Sequence, residues 1–446
     1  MNRTIAALFL SILVSADLVG CGYNNNNALY GGPANTNPTG TSSAPSTLNF
    51  RAFVSNPFNP SITGTISPAL NIIDATQDLL SSFTVDLSST TSSAGMMVES
   101  PKRDRTVVFS PTTNTSQTNT LGIVDNAKET GSGSVTLPGS TESMFVWIDN
   151  TTLFTAVPTA PMNGGPAGAV LQVDISNQTI TATIPVPGAH FVIPNPSGNQ
   201  ILAISDSANS VTILAPALLA TGGGVTPVSG TFDRPVWAVF SPDGLTAYVM
   251  NCGAQCAGTA ASIAVVDMTA SPPAVTSTVP VPAATMALMA NGNLYVAGTP
   301  VQSGVDCAAN LCGVLTVFPS ANLTATPETF AITDGYHNRM VQAQNGQLFI
   351  GSRTCTNIIA AGSTPGRGCL SVLNTAPGGT VYTSAQNGDV TGIEPISTRT
   401  QVYVCQGGAL EIYDTSHDVG SGSQLQLQPT QVTITGQATD VKLADF

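Results

Sequence analysis

The sequence is poor in charged side chains. Asp, Glu, Lys and Arg make up 8% of its 446 residues, against about a quarter in ordinary soluble domains. Only 12 residues are Lys or Arg, and the formal net charge is −13. Because the chain also lacks a basic cluster, nucleic acid and anionic lipid headgroups are poor partner candidates. Hydrophobic residues still form 42% of the sequence, which is enough for a folded core.

The motifs that hold metals and cofactors are missing as well. The chain has three histidines, far apart in the sequence, and these cannot assemble a multi-copper cluster. It has no CxxCH for covalent haem, no GxSxG nucleophile elbow, no phosphate-binding glycine loop and no EF-hand run. The sequence therefore predicts neither a metal nor a cofactor.

Long hydrophobic runs are missing except at the N-terminus. Arg3 precedes an apolar stretch, residues 5–14, which is shorter than the roughly 20 residues of a membrane-spanning helix. Residues 18–21, LVGC, resemble the lipobox of bacterial lipoproteins. The resemblance implies a signal peptide over residues 1–20 and a lipid on Cys21. The alternatives are an ordinary secretory signal and an N-terminal anchor helix.

The residues after the cysteine predict a tether. Gly22 rather than Asp follows Cys21, which in lipoproteins implies the outer membrane. Residues 21–48 are dominated by Asn, Gly, Pro, Ser and Thr and cannot bury a core. We expect an exported protein, lipid-anchored in the cell envelope at the outer membrane or facing the periplasm, with the membrane contacted only through the lipid.

The remainder, residues 49–446, is a repeat. A short β-type run recurs eight times, with successive starts about 46 to 55 residues apart, which is the spacing of propeller blades. The eight runs are residues 51–55, 106–109, 153–157, 201–204, 247–251, 294–297, 348–351 and 402–405. Each is followed by a second β-run that often ends in Asp, and most units close with a Thr- and Val-rich run. Each recurring run after the first is preceded by one more strand and a tight turn, and several of these turns contain Asn-Gly or Asp-Gly.

Four strands per unit without a long amphipathic helix predict an all-β fold, a single β-propeller of four-stranded blades. The first unit lacks its leading strand, and residues 441–446 are left over at the C-terminus. The C-terminal strand is therefore expected to pair with the first blade and close the ring, which removes open sheet edges. Eight blades are predicted, with seven as the alternative if the first or second unit is degenerate.

The clearest repeat unit resembles a known family. Residues 241–251, SPDGLTAYVMN, and 263–267, IAVVD, are similar to the YVTN-type β-propeller repeat. Residues 237–268 match it by letter, and the other units match by pattern. The resemblance implies the propeller fold and little about activity, since the family includes surface-layer proteins, lactonases and extracytoplasmic proteins of unknown role.

Seven cysteines follow Cys21, and six of them form three close pairs. Each pair falls between the second and third strands of blades five, six and seven. In an exported protein disulfides are the default, so local pairing is favoured, although six cysteines can pair in many ways. The expected disulfides are Cys252–Cys256, Cys307–Cys312 and Cys355–Cys369, and Cys405 is expected to be a small buried residue. A metal or redox site is the alternative, but the CxxC repeats of such sites are missing.

Two places on the propeller are predicted to bind. The three cysteine-containing loops, residues 251–261, 299–312 and 353–368, should cluster on the face that carries the connections between blades. The innermost strands begin on that same face, at the mouth of the central channel. The candidates for catalysis at this mouth are His190, Arg234, His337, Arg339 and Glu394. His337 would act as a base, and Arg234 or Arg339 would hold a carboxylate or oxyanion.

These features predict a non-enzymatic binding or interaction scaffold for a protein, peptide or glycan, because the loops are more conspicuous than the catalytic groups. A lactonase-like hydrolase at the channel mouth is the first alternative, and a structural envelope protein is the second.

Overall fold

The computed structural model describes residues 45–60, 65–112, 117–302, 304–361, 366–376, 378–416 and 430–446. The predicted signal peptide, Cys21 and the tether as far as residue 44 lie outside the described residues. Within those ranges, no helix is long and apolar enough to cross a membrane.

The regular secondary structure of the described chain is almost entirely β-strand. The first sixteen strands are β1 (Arg51–Pro60), β2 (Ile66–Asp74), β3 (Leu79–Asp86), β4 (Met97–Glu99), β5 (Arg105–Ser110), β6 (Thr120–Asp125), β7 (Thr130–Thr136), β8 (Met144–Val146), β9 (Thr152–Val157), β10 (Ala169–Asp174), β11 (Thr179–Pro185), β12 (Phe191–Pro194), β13 (Ile201–Ser205), β14 (Ser210–Leu214), β15 (Val225–Pro227) and β16 (Pro235–Phe240). The next sixteen are β17 (Thr246–Asn251), β18 (Ser262–Asp267), β19 (Ala274–Pro280), β20 (Met286–Ala290), β21 (Asn293–Gly298), β22 (Gly313–Pro319), β23 (Glu328–Ile332), β24 (Tyr336–Gln342), β25 (Leu348–Arg353), β26 (Leu370–Leu373), β27 (Val381–Thr383), β28 (Val390–Pro395), β29 (Gln401–Gln406), β30 (Ala409–Asp414), β31 (Thr430–Val432) and β32 (Asp440–Leu443). A four-residue helix, α1 (Pro216–Leu219), and a 3₁₀ turn (Gly253–Cys256) interrupt them.

The strands form eight antiparallel sheets of four. Blade 1 has the order β3-β2-β1-β32, and each later blade takes four consecutive strands, from β4–β7 in blade 2 to β28–β31 in blade 8. The sheets are arranged around a common axis. The chain is an eight-bladed β-propeller. The predicted fold, blade number and ring closure are all confirmed.

The aspartates that end many third strands have a local structural role. The Asp74 carboxylate accepts a hydrogen bond from the backbone N–H of Thr76 (2.8 Å), and Asp174 accepts one from Ser176 (2.8 Å). The left-handed residue of the first of these turns is Asp78, with φ of 61°. Asp side chains that bond the backbone two residues on are typical of tight turns, so the repeated Asp produces the hairpin between the third and fourth strands.

The core consists of layers between neighbouring blades. Buried apolar residues of blades 1 and 2, such as Phe53 and Val108, form one such layer, and Tyr403 lies between blades 8 and 1. Trp237 connects blades 5 and 6, because its indole N–H donates to the Ala287 carbonyl (3.1 Å). Apolar surface buried between every pair of sheets stabilises the ring and fixes the inner strands around the channel.

Ring closure combines strand pairing with a charged cluster. β32 pairs with β1, with Val441 opposite Val54. The Arg51 guanidinium binds the Asp445 carboxylate through two hydrogen bonds of 2.8 Å and the Glu129 carboxylate at 2.7 Å. The cluster therefore joins the first strand, a turn of blade 2 and the C-terminus.

Candidate functional site

The loops between second and third strands share one face with the starts of the inner strands. The pairing is antiparallel, so the first strand of a blade begins beside the end of the second, as Pro235 does beside Asn251. We call this the upper face. The turns between first and second strands lie on the opposite, lower face.

Three disulfides close loops on the upper face. Cys252–Cys256, Cys307–Cys312 and Cys355–Cys369 have Cα–Cα distances of 5.6, 5.5 and 5.5 Å, which is ordinary disulfide geometry. The three predicted pairs are therefore confirmed. Cys405 is a free thiol, buried in the second strand of blade 8.

Hydrogen bonds connect these loops to one another. The Gln255 side chain, in the blade 5 loop, accepts from the Thr299 N–H (2.9 Å) and donates to the Gly335 carbonyl (3.0 Å). The Arg367 guanidinium, in the blade 7 loop, donates to the Cys307 carbonyl in the blade 6 loop. The loops therefore form one cross-linked surface, residues 252–261, 299–302, 304–312, 353–361 and 366–369, which we call the cystine-loop surface.

The cystine-loop surface leaves aliphatic side chains in solvent. Val301 is 68% exposed, Val305 is 41% exposed and Ile359 is 78% exposed. Single exposed apolar residues are common on any protein. Here Ile359 lies inside the Cys355–Cys369 loop, Val301 and Val305 precede the Cys307–Cys312 loop, and the Arg367 guanidinium joins the two loops.

The channel mouth has an acidic wall contributed by blades 3 and 4. The His190 imidazole lies 3.2 Å from the Asp206 carboxylate through Nδ1 and 3.8 Å from the Glu142 carboxylate through Nε2. It also stacks on Phe191, with ring centroids 4.3 Å apart. Burial disfavours the imidazolium, but the two carboxylates outweigh it and raise the pKa of His190 to about 9. The imidazole is consequently protonated at neutral pH.

The opposite wall is basic. Blade 7 lies across the ring from blade 3, since the two are four blades apart in a ring of eight. Its first two strands pair Tyr336 with Arg353 and place Arg339 further along the inner strand. The Glu142 pKa is lowered, first by its contact with His190 and also by the charges of Arg353 and Arg339. The channel mouth, defined by Glu142, His190, Asp206, Tyr336, Arg339 and Arg353, thus carries opposite charges on facing walls.

The predicted site residues are distributed between the mouth and other places. His190 and Arg339 lie in the mouth. His337 has 0% exposure, and its Nε2 contacts the Thr333 carbonyl at 2.9 Å. Burial lowers the pKa of His337 to about 4, so this imidazole is neutral and out of contact with solvent. Its role as a base stays a prediction, and the accessible imidazole of the mouth is His190.

Arg234 and Glu394 lie away from the mouth. The Arg234 side chain packs beside Gly258 in the blade 5 loop, where a Cβ on that glycine would come within 3.0 Å of the arginine Cγ. Glu394 lies further along the channel, 3.7 Å from the Lys442 ammonium, which is also 3.6 Å from Asp440. Burial raises the pKa of Glu394, and Lys442 opposes the shift. Their catalytic roles also stay predictions.

Sequence reasoning missed four members of the mouth: Glu142, Asp206, Tyr336 and Arg353. Asp206 and Arg353 end or directly follow the second strand of their blades, and the sequence search considered only the starts of inner strands. The ends of second strands reach the same face, so the position of Asp206 and Arg353 within the repeat unit could have indicated that both lie at the mouth. Among the described residues, no group of three or more His, Cys, Asp or Glu is arranged to hold a metal ion.

The comparisons with known proteins identify the fold. No protein-family model and no curated protein sequence matches the chain. Among solved structures, the dihydro-haem d1 dehydrogenase NirN, in complex with DHE, is similar with a TM-score of 0.58 at 12% identity, over 92% of this chain and 77% of that one. The periplasmic gluconolactonase of Pseudomonas aeruginosa gives 0.53 at 13% identity, over 88% and 98%. Kuenenia stuttgartiensis hydrazine synthase gives 0.51 at 16% identity, over 70% and 93%. At these identities the likeness shows the fold and leaves the function open.

Proposed function

We propose that this propeller is an exported, lipid-anchored binding protein whose protein partner docks on the cystine-loop surface. The observation that carries the proposal is the set of three disulfide-closed loops, cross-linked by Gln255 and Arg367, with Ile359 exposed inside one of them and Val301 exposed beside another. Preorganised loops lower the entropy lost on binding. Disulfides also persist mainly in oxidising compartments, which supports export.

The described chain begins on the lower face, where β1 starts at Arg51 and Ser46 contacts the Glu129 carboxylate in a turn of blade 2. The described residues that lead into the propeller therefore enter on the face opposite the cystine-loop surface and leave that surface uncovered.

The test is a charge substitution on the proposed surface with a matched control. The variant V301D/I359D places two carboxylates on the cystine-loop surface. The control I148D/L245D changes two exposed aliphatics, 65% and 52% accessible, in lower-face turns of blades 3 and 5. Proteins retained from solubilised envelope by immobilised wild-type chain are quantified by mass spectrometry. We expect the same protein to be retained by wild type and control and lost from V301D/I359D. Equal retention by both double variants contradicts the proposal.

A second candidate function is hydrolysis at the channel mouth, favoured by the grouping of Glu142, His190 and Arg353. The pKa of His190 argues against it, because an imidazolium held by two carboxylates does not accept a proton at neutral pH. Lactone hydrolysis by wild type and by His190→Asn decides between the two. Lactone hydrolysis by the wild type that His190→Asn abolishes would favour the hydrolase. A wild-type rate no higher than that of uncatalysed lactone hydrolysis would favour the binding protein.

A further inference from the structure

Arg353 is the one residue of the channel mouth with a buried donor that lacks an acceptor. It is the last residue of β25 and is half-buried. Its Nε is shielded from solvent and has no hydrogen-bond partner. The rest of its guanidinium also makes no hydrogen bond or ion pair within the described ranges. Buried donors in native structures are almost always satisfied, and a donor on a charged group is among the most costly to leave without an acceptor.

Three other arginines show how the chain satisfies a buried or half-buried guanidinium. Arg51 binds two carboxylates and the Asn126 carbonyl, and Arg399 binds both oxygens of Asp78. In the mouth itself, the Arg339 Nε donates to the Thr391 carbonyl (3.1 Å). Arg353 differs from these three, and it pairs with Tyr336 where β24 begins and β25 ends, on the upper face.

The charges around Arg353 select the chemistry of an occupant. Burial lowers the pKa of Arg339, and the nearby positive charge of Arg353 contributes to this shift. A carboxylate between the two side chains would relieve that repulsion, and the planar guanidinium matches its geometry. Across the mouth, Glu142 and Asp206 carry two negative charges against the single positive charge of His190. That wall repels a dianion and accepts hydrogen bonds from a hydroxyl or ammonium group.

We propose that Arg353 anchors the carboxylate of a small organic acid in the channel mouth, with a hydroxyl or amino group of the same molecule directed toward Glu142. This site borders the cystine-loop surface, with which it shares Arg353, but it stands on its own observations. Tyr336, which pairs with Arg353 across two strands, presents a neutral hydroxyl beside it, because burial raises the pKa of Tyr336 well above its ordinary value. A phosphate would bring a second negative charge against the acidic wall and is therefore excluded.

The test uses four probes on the full chain: lactate and alanine, which have a carboxylate and a second polar group, propionate, which has only the carboxylate, and inorganic phosphate. Binding is measured by calorimetry and by saturation-transfer NMR, up to about 10 mM, ten times the concentration of a millimolar Kd. We expect lactate or alanine to bind more tightly than propionate and phosphate not to bind. The identity of the better of the two distinguishes a hydroxy acid from an amino acid.

Two variants connect the binding to Arg353. Arg353→Gln should weaken it at least about tenfold, and Arg234→Gln, which removes an upper-face arginine outside the mouth, should leave it unchanged. Arg353→Gln should also melt no lower than wild type in the absence of probe, because the side chain it replaces makes no bond, so that lost binding cannot be attributed to unfolding. Absence of binding by every carboxylate, equal binding by Arg353→Gln, or equal loss in both variants overturns the proposal.

Discussion

The closure cluster at Arg51 gives the sharpest prediction of stability. Arg51 is 10% exposed in its side chain, Glu129 is 3% exposed and Asp445 is 21% exposed. Replacing Arg51 with Met removes the cation and leaves two carboxylates facing each other out of water. Breaking a buried ion pair from one side costs about 3–5 kcal/mol, so we expect Arg51→Met to lower the free energy of unfolding by about that amount.

The assay is equilibrium urea unfolding at pH 7, with the denaturant slope fitted separately for each variant. The matched control is Arg105→Met, because Arg105 is 35% exposed and lies 3.6 Å from the Asp125 carboxylate. An exposed pair of this kind contributes less than about 1 kcal/mol. The triple variant R51M/E129Q/D445N should recover part of the loss, since it removes the uncompensated charges.

The reasoning is refuted if the free energy of unfolding of Arg51→Met lies within about 1 kcal/mol of the wild-type value, which is the contribution of an exposed ion pair. That result would mean that strand pairing between β1 and β32 closes the ring without help from the charges. A similar loss in Arg105→Met would also refute it, since burial is the property by which the two arginines differ.

Two further predictions concern titratable groups, one that is buried and one that lies between two carboxylates. Glu411 is 2% exposed in β30, and burial raises the pKa of its carboxyl to about 7. The wild type therefore loses stability as pH rises from about 4.5 to 7. The free energy of unfolding of Glu411→Gln, relative to that of wild type, should increase by about 1–3 kcal/mol between pH 4 and pH 8 in urea unfolding. A constant difference across that range would contradict this. The pKa of His190 is raised to about 9, so its contribution to the free energy of unfolding is complete below about pH 6.5 and disappears as pH rises through 9. His190→Asn should therefore be less stable than wild type by about 1–3 kcal/mol at pH 6 and nearly as stable as wild type above pH 10. A loss of the same size at both pH values would show that packing on Phe191, and not charge, is what the imidazole supplies.

Much of the fold was predictable because its signals are local. The turn at residues 241–244, the strands on either side and the aspartate at 267 recur about every fifty residues, and each depends on contacts within one blade. The disulfides were predictable for the same reason, since Cys252 and Cys256 share one loop. Ring closure followed from a strand deficit at one end and a surplus at the other.

The candidate site was less predictable because it depends on which way side chains point. The register between β24 and β25 shifts between His337 and Arg339. His337 is turned into the blade, while Arg339 stays at the channel. Neighbouring residues of a strand point to opposite faces, so a one-residue irregularity reverses an assignment that sequence position alone suggests.

The sequence by itself determined the repeat, and it favoured eight blades over seven, closure by the C-terminal strand and local pairing of the cysteines, because all of these depend on spacing along the chain. Only the tertiary structure decided which residues join His190 and Arg339 at the channel mouth. Glu142 and Arg353 are more than two hundred residues apart, and they face each other because eight blades set the third opposite the seventh. The unpartnered donor of Arg353 is likewise a property of the folded ring, since it depends on what every neighbouring strand fails to supply.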